Sequence, residues 1–171
     1  MCAIFGITGK TDINLIKKMS KCQFYRGPDS QTFFNNKKFK ISFGMNRLAV
    51  IDKRGGNQPM LSHDKRYLIV FNGTIYNFKE IKKFLEKKIK FKTNSDTEVL
   101  VNSYSYWGNK SFNYFDGMWA TSIFDFKKRK MILSRDYVGQ KPLFYYKNKN
   151  IVIFSSQLNK IFKSKNNFKI S

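Results

Sequence analysis

Three stretches of the sequence each hold two apolar, β-prone segments separated by a short polar turn, and this pattern limits the fold more than any other feature. The first stretch covers residues 32–52 around the turn Asn-Asn-Lys-Lys, and the second covers 117–136 around Lys-Lys-Arg. The third joins "PLFYY" to "IVIFSS". Short turns connect antiparallel strands, whereas parallel strands need a long crossover. The sequence therefore predicts antiparallel sheets.

Helical patterns separate and flank these strands. Four segments have apolar residues at helical spacing: 12–24, 77–88, 95–107 and 157–162. Asp12, Asn77 and Ser95 stand where N-caps are expected, and Ser95 forms a capping box with Glu98. Between the first two helices, "RYLIVFNGTIYN" predicts a strand that enters a tight Asn-Gly turn. Strands in antiparallel runs with helices between the runs indicate an α+β fold, in which helices cover layered antiparallel sheets.

The net charge of +22, from 33 basic and 11 acidic residues, raises the possibility of a nucleic-acid partner. However, 27 of the basic residues are Lys and only 6 are Arg, and they are spread over the whole chain. Nucleic-acid interfaces favour clustered Arg for base edges and stacking. We therefore interpret the charge as a solvated lysine surface and do not expect nucleic acid as a partner.

Membranes and metals are not expected as partners either. No apolar run approaches the roughly 18 residues of a membrane-spanning helix, and the first residues lack the pattern of a secretory signal. We therefore expect a cytoplasmic protein. Two Cys and one His, His63, offer only three scattered ligands, too few for a structural zinc site, so we expect no metal.

The chain begins "MCAIFG", which places a thiol directly behind the first residue. Removal of Met1 would leave Cys2 with a thiol and a free α-amine, whose reference pKa values are about 8.5 and about 7.7–8.0. Such an amine can accept the proton of its own thiol and so activate it as a nucleophile. The alternative is that Cys2 packs as a small apolar residue at the head of a strand. Cys2 alone leaves both interpretations open.

Eight segments in chain order help to decide between these two interpretations of Cys2. They are "MCAIFG", "YRGPDS" (25–30), "NRLAVID" (46–52), "GGNQPM" (55–60), "FNGTIYN" (71–77), "NSDTEVL" (94–100), "FDGMWA" (115–120) and "RDYVGQKPLFY" (135–145). Together they resemble the class II glutamine amidotransferase domain, most of all the N-terminal half of glutamine-hydrolysing asparagine synthetases. The resemblance covers residues 1–171 as one domain. It implies a four-layer αββα sandwich of the N-terminal nucleophile hydrolase type.

The resemblance also implies a glutaminase reaction with L-glutamine as substrate. In this family the N-terminal Cys, here Cys2, attacks the side-chain amide, releases ammonia and forms a thioester that water hydrolyses to glutamate. The Asn side chain and Gly N–H of the "NG" pair, here Asn72 and Gly73, stabilise the oxyanion. The Arg of "RLAVID", here Arg47, binds the α-carboxylate. The Asp of "SDTEV", here Asp96, binds the α-ammonium.

Three positions depart from the family pattern. Thr74 replaces a Glu that helps to bind the substrate ammonium, so Thr74 is a substrate-binding position without a charge. Gln157 replaces an acid, and Tyr25 replaces the usual His before "RGPD". Because the attacking and oxyanion groups are intact, these changes predict weaker glutamine binding rather than loss of the chemistry.

Asparagine synthetases continue into an ATP-using domain with an "SGGxDS" loop, and we expect that domain to be absent from this chain. The resemblance then implies no cofactor here, with ATP and magnesium only in the synthetase part. A C-terminal domain or a separate subunit would use the ammonia to amidate aspartate. The alternative is a stand-alone or degenerate glutamine-binding module that serves another acceptor pathway.

Overall fold

The structure is a computed structural model that describes residues 1–158. Nine strands are present in this range: β1 Ala3–Thr8, β2 Ser30–Asn36, β3 Ile41–Arg47, β4 Met60–Leu61, β5 Tyr67–Ile75, β6 Gly117–Asp125, β7 Lys130–Arg135, β8 Phe144–Asn148 and β9 Ile151–Ser155. The α-helices are α1 Ile13–Cys22, α2 Phe78–Leu85 and α3 Asp96–Trp107. Two short 3₁₀ segments cover Phe24–Arg26 and Gly108–Tyr114. The described chain divides into two compact units, the first made of Met1–Leu48 with the residues from Pro142 onward, and the second of Ala49–Lys141.

The first unit is a five-stranded antiparallel sheet in the order β2-β3-β1-β9-β8, with α1 packed on it. Helix α1 begins where the sequence predicts, because the Asp12 carboxylate accepts the Leu15 N–H at 2.9 Å. Its apolar residues Ile16 and Met19 pack against Phe5 and neighbouring residues of β1. The N-terminal strand β1 is thereby fixed in the middle of the sheet, between β3 and β9.

The second unit is a four-stranded antiparallel sheet in the order β4-β5-β6-β7. Helices α2 and α3 cover one of its faces. Their apolar residues form one buried cluster with alternate residues of β5, which include Ile69, Phe71 and Ile75. None of the helices in residues 1–158 is long and apolar enough to cross a membrane.

The predicted α+β class with antiparallel sheets is confirmed. The side-chain cap predicted at Ser95 is also confirmed, since its Oγ accepts the Glu98 N–H at 3.2 Å. The reciprocal half of the predicted capping box is wrong, because the Glu98 carboxylate accepts the N–H groups of Lys92 and Thr93, while the Ser95 N–H donates to Thr93 Oγ1. Asn77 is the N-cap residue of α2 as predicted, but its side chain makes no capping hydrogen bond and instead bridges the Tyr114 carbonyl and the Asp116 N–H. The helix predicted over 157–162 lies outside the described residues from position 159 onward.

The tight turn predicted at Asn72-Gly73 is wrong, and the error matters for the site. Strand β5 runs straight through both residues, which lie opposite Ala120 and Trp119 of β6. A Cβ on Gly73 would collide with the Met118 carbonyl. The glycine is therefore required for close strand packing rather than for a turn.

Candidate active site

Cys2 lies at the head of β1 in the first unit and is half-buried. The Leu48 N–H donates to its Sγ at 3.4 Å, and the Leu48 carbonyl oxygen lies 3.5 Å from the same sulfur. Arg26 donates from Nε to the Cys2 carbonyl oxygen at 3.1 Å. Three contacts from sequence-distant residues therefore fix both the backbone and the thiol of Cys2.

Arg47 is the last residue of β3 and is only 5% exposed. Strands β1 and β3 are antiparallel with Ala3 opposite Asn46, so the same register brings Cys2 opposite Arg47. A guanidinium stays charged when buried, and its planar donors match a carboxylate. The first unit therefore brings the candidate nucleophile and the candidate carboxylate-binding residue to the same end of its sheet.

Two residues that interrupt the family pattern also meet in the first unit. The Gln157 side-chain amide donates to the Tyr25 hydroxyl. The position where the resemblance implies a His thus pairs with the position where it implies an acid. The contact is a hydrogen bond between an amide and a hydroxyl group.

In the second unit, one edge of β5 carries a row of three peptide N–H groups. Alternate residues of a strand donate to the same side, so Phe71, Gly73 and Ile75 project toward one edge. The Phe71 N–H donates to Gln58 Oε1 at 2.6 Å, and the Ile75 N–H donates to Asp96 Oδ2 at 3.2 Å. The Gly73 N–H lies between these two occupied donors and is open in the described part of the chain.

Asn72 carries a second unused donor beside Gly73. Asn72 is 2% exposed, and its Nδ2 has no hydrogen-bond partner among the described residues. A buried donor without a partner costs about 1–3 kcal/mol and is rare in native proteins. Two adjacent residues thus present an amide N–H and a peptide N–H, which is the donor set that an oxyanion requires.

Asp96 begins α3 and is 5% exposed. The preceding Ser95 caps the helix, and the Asp96 carboxylate accepts the Ile75 N–H from β5. An acid at this position is stabilised by the helix dipole. Thr74 is half-buried on β5, between Gly73 and Ile75, so the second unit brings Asn72, Gly73, Thr74 and Asp96 into one neighbourhood.

Sequence reasoning gave no role to two residues that support this neighbourhood. Gln58 accepts from Phe71, and Asp52 accepts the N–H groups of Gly55 and Asn94, each at 2.8 Å. Both lie within the segments "NRLAVID" and "GGNQPM". The signal that could have found Gln58 is a polar side chain one residue before a Pro beside a β-strand, but its partner is not visible in sequence.

The motif "RDYVGQKPLFY" has a structural explanation. The Asp136 carboxylate accepts the N–H groups of Trp119, Gln140 and Lys141 at 2.8–3.2 Å. Burial opposes ionisation of Asp136, but these N–H donors outweigh it and hold its pKa below the ordinary value. The carboxylate therefore ties the loop after β7 to Trp119, the residue opposite Gly73.

Comparison with known proteins gives sequence relatives over the whole chain. The family profile of the glutamine amidotransferase domain matches residues 1–171. The asparagine synthetase [glutamine-hydrolyzing] 1 of Bacillus subtilis (strain 168) is 34% identical over 99% of this chain and 28% of its own length. The putative asparagine synthetase [glutamine-hydrolyzing] 2 of Methanocaldococcus jannaschii is 40% identical over 92% of this chain and 34% of its own length. The chain thus spans about a third or less of these relatives.

Solved structures share the fold at lower identity. Glutamine phosphoribosylpyrophosphate amidotransferase from B. subtilis, complexed with ADP and GMP, superposes with a TM-score of 0.77 at 20% identity. The match covers 95% of this chain and 43% of that one. A structure of the allosteric regulatory enzyme of purine biosynthesis gives a TM-score of 0.76 with the same coverage.

Proposed function

This chain belongs to the glutamine amidotransferase domain family, and on that premise we propose that it hydrolyses the side-chain amide of L-glutamine to glutamate and ammonia. One observation carries the proposal: the buried, unpartnered Nδ2 of Asn72 stands beside the open N–H of Gly73. A fold retains such unused donors where a ligand or a reacting group supplies the acceptor. The acceptor that fits is the oxyanion of an amide under attack.

Cys2 is the nucleophile in this proposal, after removal of Met1. Its α-amine accepts the thiol proton, and the sulfur attacks the amide carbon to give a tetrahedral oxyanion. The C–N bond then breaks, nitrogen leaves as ammonia with the transferred proton, and a thioester remains. Water attacks the thioester, which releases glutamate and returns the proton to sulfur. The contacts of Sγ and the Cys2 backbone with Leu48 and Arg26 support a fixed attacking group.

Recognition of the substrate uses one residue of opposite charge for each of the two charged groups on its α-carbon. Arg47 binds the α-carboxylate through parallel hydrogen bonds, and Asp96 binds the α-ammonium. Thr74 offers a hydroxyl but no charge, so Asp96 provides the ionic pairing of the ammonium. We therefore propose weaker glutamine binding than a site with two acids would give.

The ammonia has a proposed destination. The relatives are named asparagine synthetases, and this chain matches 28% and 34% of the two described above. We propose that a synthetase domain or separate subunit consumes the ammonia in ATP-dependent amidation of aspartate. ATP and magnesium belong to that part, and the proposal assigns no cofactor to residues 1–171. Cys2 and Cys22 form no disulfide, which suits the reducing cytoplasm that we propose as the location.

The test measures glutamate release from glutamine by the wild type, by Cys2→Ala and by Cys22→Ala. Cys22 is an exposed cysteine at the end of α1, so Cys22→Ala is the matched control. We expect Cys2→Ala to lose all release and Cys22→Ala to keep the wild-type rate. Equal rates for wild type and Cys2→Ala would refute the nucleophile. Glutamine binding without turnover by the wild type would favour the degenerate module instead.

A further inference from the structure

Gln58 occupies a gap in the hydrogen-bonding edge of β5. Strand β4 is only two residues long and pairs Met60 with Ile69 of β5. Continuing this register two residues further places Gln58 opposite Phe71. At that position no backbone carbonyl of β4 receives the Phe71 N–H, and the side-chain oxygen of Gln58 accepts it at 2.6 Å. Gln58 thus extends the ladder by one hydrogen bond through its side chain.

The other end of the Gln58 amide binds α3. Its Nε2 donates to Thr97 Oγ1 at 3.0 Å, and Gln58 is only 5% exposed. Phe71 directly precedes Asn72, and Thr97 directly follows Asp96. The Gln58 amide therefore joins two residues that flank the candidate site. Phe71 is adjacent to the candidate oxyanion donor Asn72, and Thr97 is adjacent to the candidate ammonium-binding residue Asp96.

A second hydrogen bond joins β5 to α3. The Ile75 N–H donates to Asp96 Oδ2, so β5 is tied to α3 on both sides of Gly73. Because Phe71, Gly73 and Ile75 donate to one edge, the two outer bonds fix the spacing and direction of the open Gly73 N–H. An amide is suited to the role of Gln58, since it accepts at one atom and donates at the other without a charge.

We propose that Gln58 is a positioning residue for glutamine hydrolysis, which holds Gly73 and Asp96 at the spacing that the substrate requires. The inference rests on the proposed function. Gln58 itself touches no reacting atom. Displacement of a catalytic group by about 1 Å can cost on the order of 100-fold in rate, so loss of this bridge is expected to affect turnover and binding together.

The experiment compares the variants Gln58→Met, Thr97→Val and Ser62→Ala. The concentration of active sites in each preparation is first titrated with an electrophilic glutamine analogue that alkylates Cys2, and the kinetic constants are then expressed per active site. Gln58→Met removes the hydrogen bonds to Phe71 and to Thr97 at similar side-chain length. Thr97→Val removes only the bond to α3. Ser62→Ala is the matched control, because the buried Ser62 Oγ accepts the Tyr67 N–H on the same edge of β5, at its far end from Gly73.

We expect Gln58→Met to lower kcat/KM per titrated site by at least about ten-fold, with a fall in kcat and a rise in KM. Thr97→Val should raise KM for glutamine and the Kd of the product glutamate while kcat stays near wild type. Ser62→Ala should keep both constants within about two-fold. In amide exchange, the Phe71 N–H should exchange at least about ten-fold faster in Gln58→Met than in wild type.

The inference is overturned if Gln58→Met matches Ser62→Ala in kcat and KM, or if Phe71 keeps its protection in Gln58→Met. An outcome in which every variant loses active sites but keeps wild-type constants per site would assign Gln58 a purely structural role. Absence of glutamate release from the wild type would instead refute the proposed function, and this inference with it.

Discussion

Replacement of Asn72 by Leu separates activity from stability. The Nδ2 of Asn72 is buried and has no partner among residues 1–158, so the substitution removes a donor that no described group accepts. Leu has a similar volume and no polar atom. An unpaired buried polar group costs about 1–3 kcal/mol, and its removal should leave the free energy of unfolding unchanged or raise it by about 1 kcal/mol.

Activity should respond in the opposite direction. One oxyanion donor supplies about 2.7–4 kcal/mol of barrier reduction, so kcat for glutamate release should fall by on the order of 100- to 1,000-fold. The KM for glutamine should change little, because the donor acts mainly on the developing charge. Urea unfolding and steady-state release of glutamate, measured on the same preparations, test both parts.

Asn46→Leu provides the matched control for stability. Asn46 is also fully buried, but its side chain is satisfied: Nδ2 donates to the Ser20 carbonyl at 2.8 Å, and Oδ1 accepts from the Ser20 hydroxyl at 2.6 Å. Its loss should cost at least about 2 kcal/mol. The reasoning is refuted if Asn72→Leu destabilises the protein as much as Asn46→Leu does, or if it retains more than about a tenth of the wild-type kcat.

Two further predictions concern charge. Asp96→Asn keeps an oxygen that can accept the Ile75 N–H but loses the negative charge. The KM for glutamine should therefore rise by roughly 10-fold or more, while thermal stability stays near that of the wild type. An unchanged KM would refute the role of Asp96 in binding the ammonium group. Burial opposes ionisation of Asp125. The side-chain hydrogen bond from Arg66 and the backbone N–H groups of Lys128 and Lys127 outweigh this effect and lower the pKa of Asp125 below its ordinary value. The folded-state pKa is thus depressed, so this contribution to stability is present above about pH 4 and is lost as pH falls through the lower folded value. Urea midpoints between pH 6 and pH 2 should decline less steeply in Arg66→Met than in wild type, and parallel profiles would contradict the assignment.

Part of the site followed from local sequence, and part did not. Cys2, Arg47 and Asp96 stand in segments whose order along the chain identified the family, and the position of Asp96 at a helix start follows from the Ser95 cap. The position of Gly73 inside a strand did not follow. Asn-Gly is the usual signal for a tight turn, and only the pairing with β6 overrides that preference.

The role of Gln58 is the clearest contribution of tertiary structure. Its partners Phe71 and Thr97 are 13 and 39 residues away, and no local pattern indicates which N–H of β5 lacks a strand partner. The same reason explains why the Asn77 side chain makes no capping hydrogen bond, since it binds Tyr114 and Asp116 from another part of the second unit.

The amino-acid sequence determined the elements whose stabilising contacts lie within a few residues: the three hairpins β2–β3, β6–β7 and β8–β9, and the helix starts at Asp12 and Ser95. These follow from short-range sterics and hydrogen bonds that need no partner from elsewhere in the chain. Tertiary structure decided that the donors of Asn72 and Gly73 have no acceptor among residues 1–158. A donor is free or occupied only in relation to groups that folding brings beside it, and that relation has no counterpart in the linear order of residues.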